Sequence, residues 1–413
     1  MSEKKLHYAW FILAGCCALT AGMGILLNTG GQWFVSVTKE LNISVSTLSL
    51  YFTVQGLCMA FTAPFVGKLL PKVNLRLLLT GCYSAVILAI AAMSQYQSVW
   101  GWYISGAVLG IAGAFCFLIP APVILSQWFA KKTGLAVGIA MAFSGISAAI
   151  MNPIIAGFIQ ANGWRAAYLL AAGVTAILVL PFTLFVLRFK PADMGLKPFG
   201  YEENAAASAA QAASAATGVP ANVAMRSLSF ILLFCVFGLI AFSAGFSQLL
   251  PTYAKSIGFA ATIGATMASM AMIGNIVGKL SLGVINDKFG ALKTSLFGLS
   301  IVAVSFILLL LAKGNTTVIL AASFFYGFSL SMTAVVSPLL VRGAYGAKDY
   351  PVLFANLSIG QSLIGAFGMP IIGFIAELTG SFATTFIVTL SILALTAVLI
   401  LLAFNNAKKL TQA

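Results

Sequence analysis

Of the 413 residues, 61% are hydrophobic and only 7% are charged, against about a quarter charged in an average soluble domain. So few polar groups cannot cover a water-facing surface, which excludes a soluble globular protein. The net charge of +14 would suggest a nucleic-acid ligand in a soluble chain, but the positions of the charges give it another origin.

A helix rises about 1.5 Å per residue, so crossing a bilayer core takes roughly 20 apolar residues. Twelve stretches qualify, at 8–30, 46–70, 75–95, 98–126, 133–160, 164–187, 228–254, 262–286, 293–312, 316–341, 350–377 and 381–404. Backbone polar groups in lipid must be bonded within the segment, and the alternating pattern of a membrane β-barrel is absent, so all twelve are predicted as helices. The first run, beginning at Tyr8, is too long for a signal-peptide core and precedes no small-residue cleavage site, so it reads as the first span. The longest predicted loop, 188–227, contains the low-complexity stretch Asn204–Ala224 and too little apolar bulk to pack. It divides the chain into an N-terminal bundle (1–187), a flexible cytoplasmic linker (188–227) and a C-terminal bundle (228–413). Cys16, Cys17, Cys58, Cys82, Cys116 and Cys235 all lie in apolar stretches without metal-ligand spacing and read as small core residues.

Seventeen basic residues fall in one set of loops and the two termini, and four in the opposite set. That bias places both termini in the cytoplasm of a multi-pass protein in the cytoplasmic (inner) membrane. The halves also echo one another. Pro153-Ile-Ile-Ala-Gly-Phe-Ile followed by Gly163 recurs as Pro370-Ile-Ile-Gly-Phe-Ile followed by Gly380, and Gly67 with Lys72 recurs as Gly283 with Lys288. The expected fold class is therefore an all-α membrane protein of 12 transmembrane helices, built as two six-helix bundles in a parallel (6+6) repeat. Such repeats are the common build of secondary transporters, with substrate held near mid-membrane and the halves rocking about it.

These features resemble the major facilitator superfamily. Gly283-Val-Ile-Asn-Asp287-Lys288-Phe-Gly290-Ala-Leu-Lys293 is similar to its G-x-x-x-D-(R/K)-x-G-x-x-(R/K) loop. The resemblance implies a conformational latch at Gly283, Asp287, Lys288 and Gly290. The copy after the second span has Pro71 where the acid is expected. Gln127-Trp-Phe-Ala-Lys-Lys-Thr-Gly-Leu-Ala-Val-Gly-Ile-Ala resembles a signature shared by the monocarboxylate transporters and the oxalate/formate antiporters. That resemblance implies transport of small organic anions.

The side chains exclude most other chemistry. His7 is the single histidine, Glu377 is the single acid within the spans, and no P-loop or paired carboxylates occur. The chain is not expected to be an enzyme, to drive transport with ATP, or to hold a cofactor or metal. Lys279 stands inside the eighth span. An ionisable group at membrane depth costs at least about 2.5 kcal/mol on insertion scales and marks a functional site by default, although a lysine stem can instead snorkel to the interface. Asn275 precedes it by one turn on the same face. The resembled families carry a cation at this place, where it binds the substrate carboxylate. With no buried acid to neutralise Lys279, a substrate anion would supply the missing charge. Asn28, Tyr326 and Gln361 are the other expected substrate contacts. Gln55, Asn152 and Gln248 are further polar groups at depth, each equally readable as an interhelical hydrogen bond.

The expectation is a monomeric secondary transporter of a small organic anion, chiefly a monocarboxylate, acting in the lipid bilayer with protons as a coupling partner and with no nucleic acid. An anion-exchange antiporter, an exporter of hydrophobic compounds and a ligand sensor are the alternatives.

Overall fold

The computed structural model describes residues 7–69, 73–117, 120–130, 133–200, 218–312, 314–346 and 348–412. Ten helical stretches are long and apolar enough to cross a membrane. Two of them are each a pair of helices. Gly163 (φ 81°, ψ 163°) divides Thr133–Pro181, and Gly290 (φ 79°, ψ 167°) divides Ala261–Leu311. Only glycine takes that backbone conformation without strain. Twelve membrane helices result among the described residues.

They are α1 (Ala9–Leu27, continuing as Gly31–Leu41), α2 (Val45–Leu69), α3 (Leu75–Ala92), α4 (Val99–Cys116, continuing as Pro120–Trp128), α5 (133–162) and α6 (164–181). The second six are α7 (Leu228–Ala244, then a tighter 3₁₀ turn and Leu250–Ser256), α8 (261–289), α9 (291–311), α10 (Thr316–Ser331, a π turn, then Ser337–Tyr345), α11 (Tyr350–Gly365 and Gly368–Thr379) and α12 (Phe382–Gln412). The fold is the parallel 6+6 arrangement expected from the sequence. Two boundaries differ from the sequence reading. The first span runs on to Leu41 through a break at 28–30, and the last helix runs past 404 to Gln412. Both extensions carry polar residues that a hydropathy count discards.

By contacts the chain forms two compact units, one of 1–33 with 57–210 and one of 34–56 with 211–413. Large apolar side chains such as Leu77, Leu88, Ile177 and Leu280 are exposed, as a bilayer solvent permits.

In the first unit α1 and α5 run parallel in a fixed register. Thr20 Oγ1 donates to the Ala140 carbonyl, a methyl on Gly24 would overlap the Ser144 carbonyl, and Gln32 Nε2 donates to Asn152 Oδ1 at 2.9 Å. Each pair is 120 residues apart. The segment after α6 folds back on this unit, with Phe199 and Ala130 exchanging backbone bonds at 2.8 and 2.9 Å with Trp128 and Phe199.

In the second unit α7 and α11 repeat the device. Gly360 meets Phe234, Gly238 meets Ile364 and Gly368 meets Phe242, each pair 126 apart. Pro370 has no N–H to give the Ala366 carbonyl one turn earlier, so α11 breaks there and Thr53 Oγ1 donates to that carbonyl instead, at 2.7 Å. Residues 218–227 lie against this unit. Val219 N donates to the Tyr345 carbonyl at 2.8 Å and Ala221 N to Asp349 Oδ2 at 2.7 Å. Residues 201–217 of the sequence-predicted linker lie outside the described residues.

Candidate functional site

The α8–α10 seam places the residue that the sequence singles out. A methyl on Gly274 would overlap the Phe324 carbonyl, and one on Gly278 would overlap Ser331 Oγ. From the other side, a methyl on Gly327 would lie 2.5 Å from Asn275 N. Small residues every fourth position let the two backbones touch, which substitutes for hydrophobic association in lipid. Asn275 and Lys279 follow directly on these glycines and so are fixed in height and rotation. Asn275 is 6% exposed, and its Oδ1 is sealed from solvent with no hydrogen-bond donor. A buried acceptor left open costs about 1–3 kcal/mol. Lys279, one turn on, is half-buried, and no acid among the described residues pairs with it.

Tyr326 occupies α10 beside Gly327. It is wholly buried, and its hydroxyl donates to the carbonyls of Ser243 (3.0 Å) and Ala244 (2.8 Å), where α7 changes to its 3₁₀ turn. Its ring packs edge-on against Phe246 and Phe306. Gln361 is half-buried on α11, next to the Gly360–Phe234 contact. Asn28 belongs to the first unit, where Nδ2 reaches the Ser144 carbonyl at 3.4 Å. The structure thus gathers Lys279 and Asn275 on one helix face with Tyr326 across the same seam, while Asn28 lies in the other unit.

In the loop motif, Gly290 takes the positive φ that turns α8 into α9, whereas nothing lies within 4 Å of a methyl built on Gly283. Asp287 and Lys288 are exposed. Among the described residues no group of His, Cys, Asp and Glu could hold a metal.

Three residues already noted in the sequence as polar groups at depth or as the single acid of the spans have surroundings that it did not foretell. Asn152 is fully buried, with Nδ2 unpartnered while Oδ1 accepts from Gln32. Gln55 is 5% exposed with Oε1 unpartnered. Glu377 accepts from Ser46 N (2.9 Å) and Ser46 Oγ (2.5 Å) at the start of α2. The 120-residue register could have paired Gln32 with Asn152, but nothing local could have paired Glu377 with Ser46, which lie 331 residues apart.

A family model described as Major Facilitator Superfamily matches residues 11–281 and 232–412. The chain belongs to that superfamily. It is a multi-pass membrane transporter and not an enzyme. It is 25% identical over 384 residues to an oxalate:formate antiporter of Oxalobacter formigenes, covering 90% of this chain and 86% of that one. It is 23% identical over 387 residues to monocarboxylate transporter 13 of Rattus norvegicus, covering 92% and 85%. Multidrug resistance proteins also occur among its relatives. Among solved structures, a bacterial homologue of the human lysosomal transporter Spinster matches with a TM-score of 0.75 at 14% identity, over 99% of each chain.

Proposed function

We propose that this transporter carries a small organic monoanion, a monocarboxylate, by alternating access. One observation supports this above the rest. Lys279 stands half-buried in α8 without an acidic partner among the described residues, one turn from a buried amide that also lacks a partner. A carboxylate docked on the ammonium would supply the missing counter-charge. One buried positive charge suits a monocarboxylate better than a dicarboxylate. Asn275 is the adjoining contact, and Gln361 is the next polar group of the same unit offered to substrate. The relatives named for oxalate, formate and monocarboxylates support the same class.

The 17-to-4 distribution of basic residues supports cytoplasmic termini in the inner membrane. Glu377 is the single acid within the sequence-predicted spans and lies at the end of the eleventh, which argues against an Asp/Glu proton relay. A proton would then travel with the substrate, or exchange of two anions would need none.

Purified protein in proteoliposomes, wild type beside Lys279→Gln, tests this with radiolabelled lactate, pyruvate, acetate and formate, and with oxalate as a dianion. Saturable flux of a monoanion that the substitution abolishes is expected. Flux of apolar compounds but no anion, or anion flux indifferent to Lys279, would overturn the reading in favour of an exporter of hydrophobic compounds, which the multidrug relatives keep as the second reading.

A further inference from the structure

The second unit contains a cavity of about 420 Å³, lined by the ends of α7, α9 and α11 and the start of α12. That volume falls in the range of small-molecule sites. Lys279, Asn275, Tyr326 and Gln361 do not line it. One wall is aromatic: Tyr253 meets Phe382 and Phe386 edge-on, with ring centres 5.5 and 5.1 Å apart. Among the described residues Glu377, itself exposed, is the one charged residue on the lining. Its carboxylate accepts two hydrogen bonds from Ser46, which leaves half of its roughly four acceptor positions open. Thr252 also lines the cavity, and its hydroxyl oxygen is sealed from solvent with no hydrogen-bond partner.

We infer that this cavity binds an organic ammonium with an apolar body, a ligand of opposite charge to the anion proposed for Lys279. An ammonium would pair with the open acceptor positions of Glu377, and the apolar body would lie against Phe382, the least buried of the three rings. A carboxylate ligand would meet a charge of its own sign at Glu377. A metal ion would find one carboxylate where several oxygen ligands are needed. The inference is independent of the anion reading, because no residue is shared between the two.

The test uses the full chain in neutral phosphatidylcholine nanodiscs and three isosteric probes: 4-phenylbutylammonium, 4-phenylbutyrate and 4-phenylbutanol, with binding followed by thermophoresis. Saturable binding of the ammonium at least tenfold tighter than of the carboxylate is expected. Glu377→Gln should weaken the ammonium at least tenfold and leave the alcohol unchanged. Ser46→Ala, which removes the donor to Glu377 Oε2 and keeps the backbone bond to Oε1, should retain the ammonium. Ala383→Trp, placed on the lining away from Glu377, should fill the cavity and abolish binding of all three. Equal affinity for the three probes, or an ammonium affinity untouched by Ala383→Trp, would overturn the inference. These two readouts decide it even where Glu377→Gln does not fold.

Discussion

Gly327→Ala examines whether the α8–α10 seam holds the candidate site in place. The added methyl would stand 2.5 Å from Asn275 N and 2.6 Å from the Gly274 carbonyl carbon. Ordinary contacts begin near 3.5 Å, so the two backbones must part by about 1 Å, and none of the colliding atoms is a flexible side-chain end. Overpacking of this kind costs about 1–3 kcal/mol, or roughly 2–6 °C in Tm at about 2 °C per kcal/mol for a chain of this length. The displaced groups are the Ala271 carbonyl, which is nearest, and the backbone of Gly274 and Asn275, so transport should fall further than stability. A loss of tenfold or more in initial uptake rate is expected at a temperature where the variant is fully folded. The assays are thermal unfolding in detergent and proteoliposome uptake on the same preparation. A variant with unchanged Tm and wild-type uptake would refute the close-contact argument. A lower Tm with full uptake would refute the claim that the seam positions the site.

Lys279→Met should raise Tm by a few degrees while abolishing anion flux, because it removes an unpaired half-buried charge of at least about 2.5 kcal/mol insertion cost; a lower Tm would mean that the ammonium has a structural partner. Tyr326→Phe leaves the carbonyls of Ser243 and Ala244 without their donor and should cost about 1–3 kcal/mol in unfolding with KM unchanged; a raised KM would instead make Tyr326 a substrate contact. Gly290→Ala should destabilise by about 1–3 kcal/mol because its φ of 79° excludes a side chain, whereas Gly283→Ala, with open space around it, should be neutral by the same thermal assay.

Much of this architecture could be read from hydropathy and from two glycines. Gly163 and Gly380, matched in the sequence by their shared spacing from Pro153 and Pro370, both take positive φ at the turn between two helices. The prolines themselves behave differently. Pro153 lies within the helical run 133–162, while Pro370 sits just after a break whose freed carbonyl finds Thr53. A proline alone does not announce whether the chain will kink. The donor to the carbonyl freed at Pro370, Thr53, is 313 residues distant. At the site, Lys279 stood out because charge in an apolar run is visible without neighbours. The sealed Oδ1 of Asn275, the commitment of the Tyr326 hydroxyl to α7 and the Glu377–Ser46 contact all depend on tertiary approach, which helical periodicity does not encode.

The fixed spacing along α1–α5 and α7–α11 limits how either bundle can deform. Each contact falls one or two helical turns beyond the last, so sliding one helix past its partner by less than a turn would drive a side chain onto a carbonyl. Gradual shear is therefore closed to these pairs, and only a jump of about 6 Å would restore a fit. Bending has to be taken up where the hydrogen-bond ladder is already open: at 28–30 in α1 and at Ala366–Phe367 in α11. Each of these two helices is thus a stiff lever with a single built-in joint, and substitutions that lock a joint should slow transport without touching a residue that meets substrate.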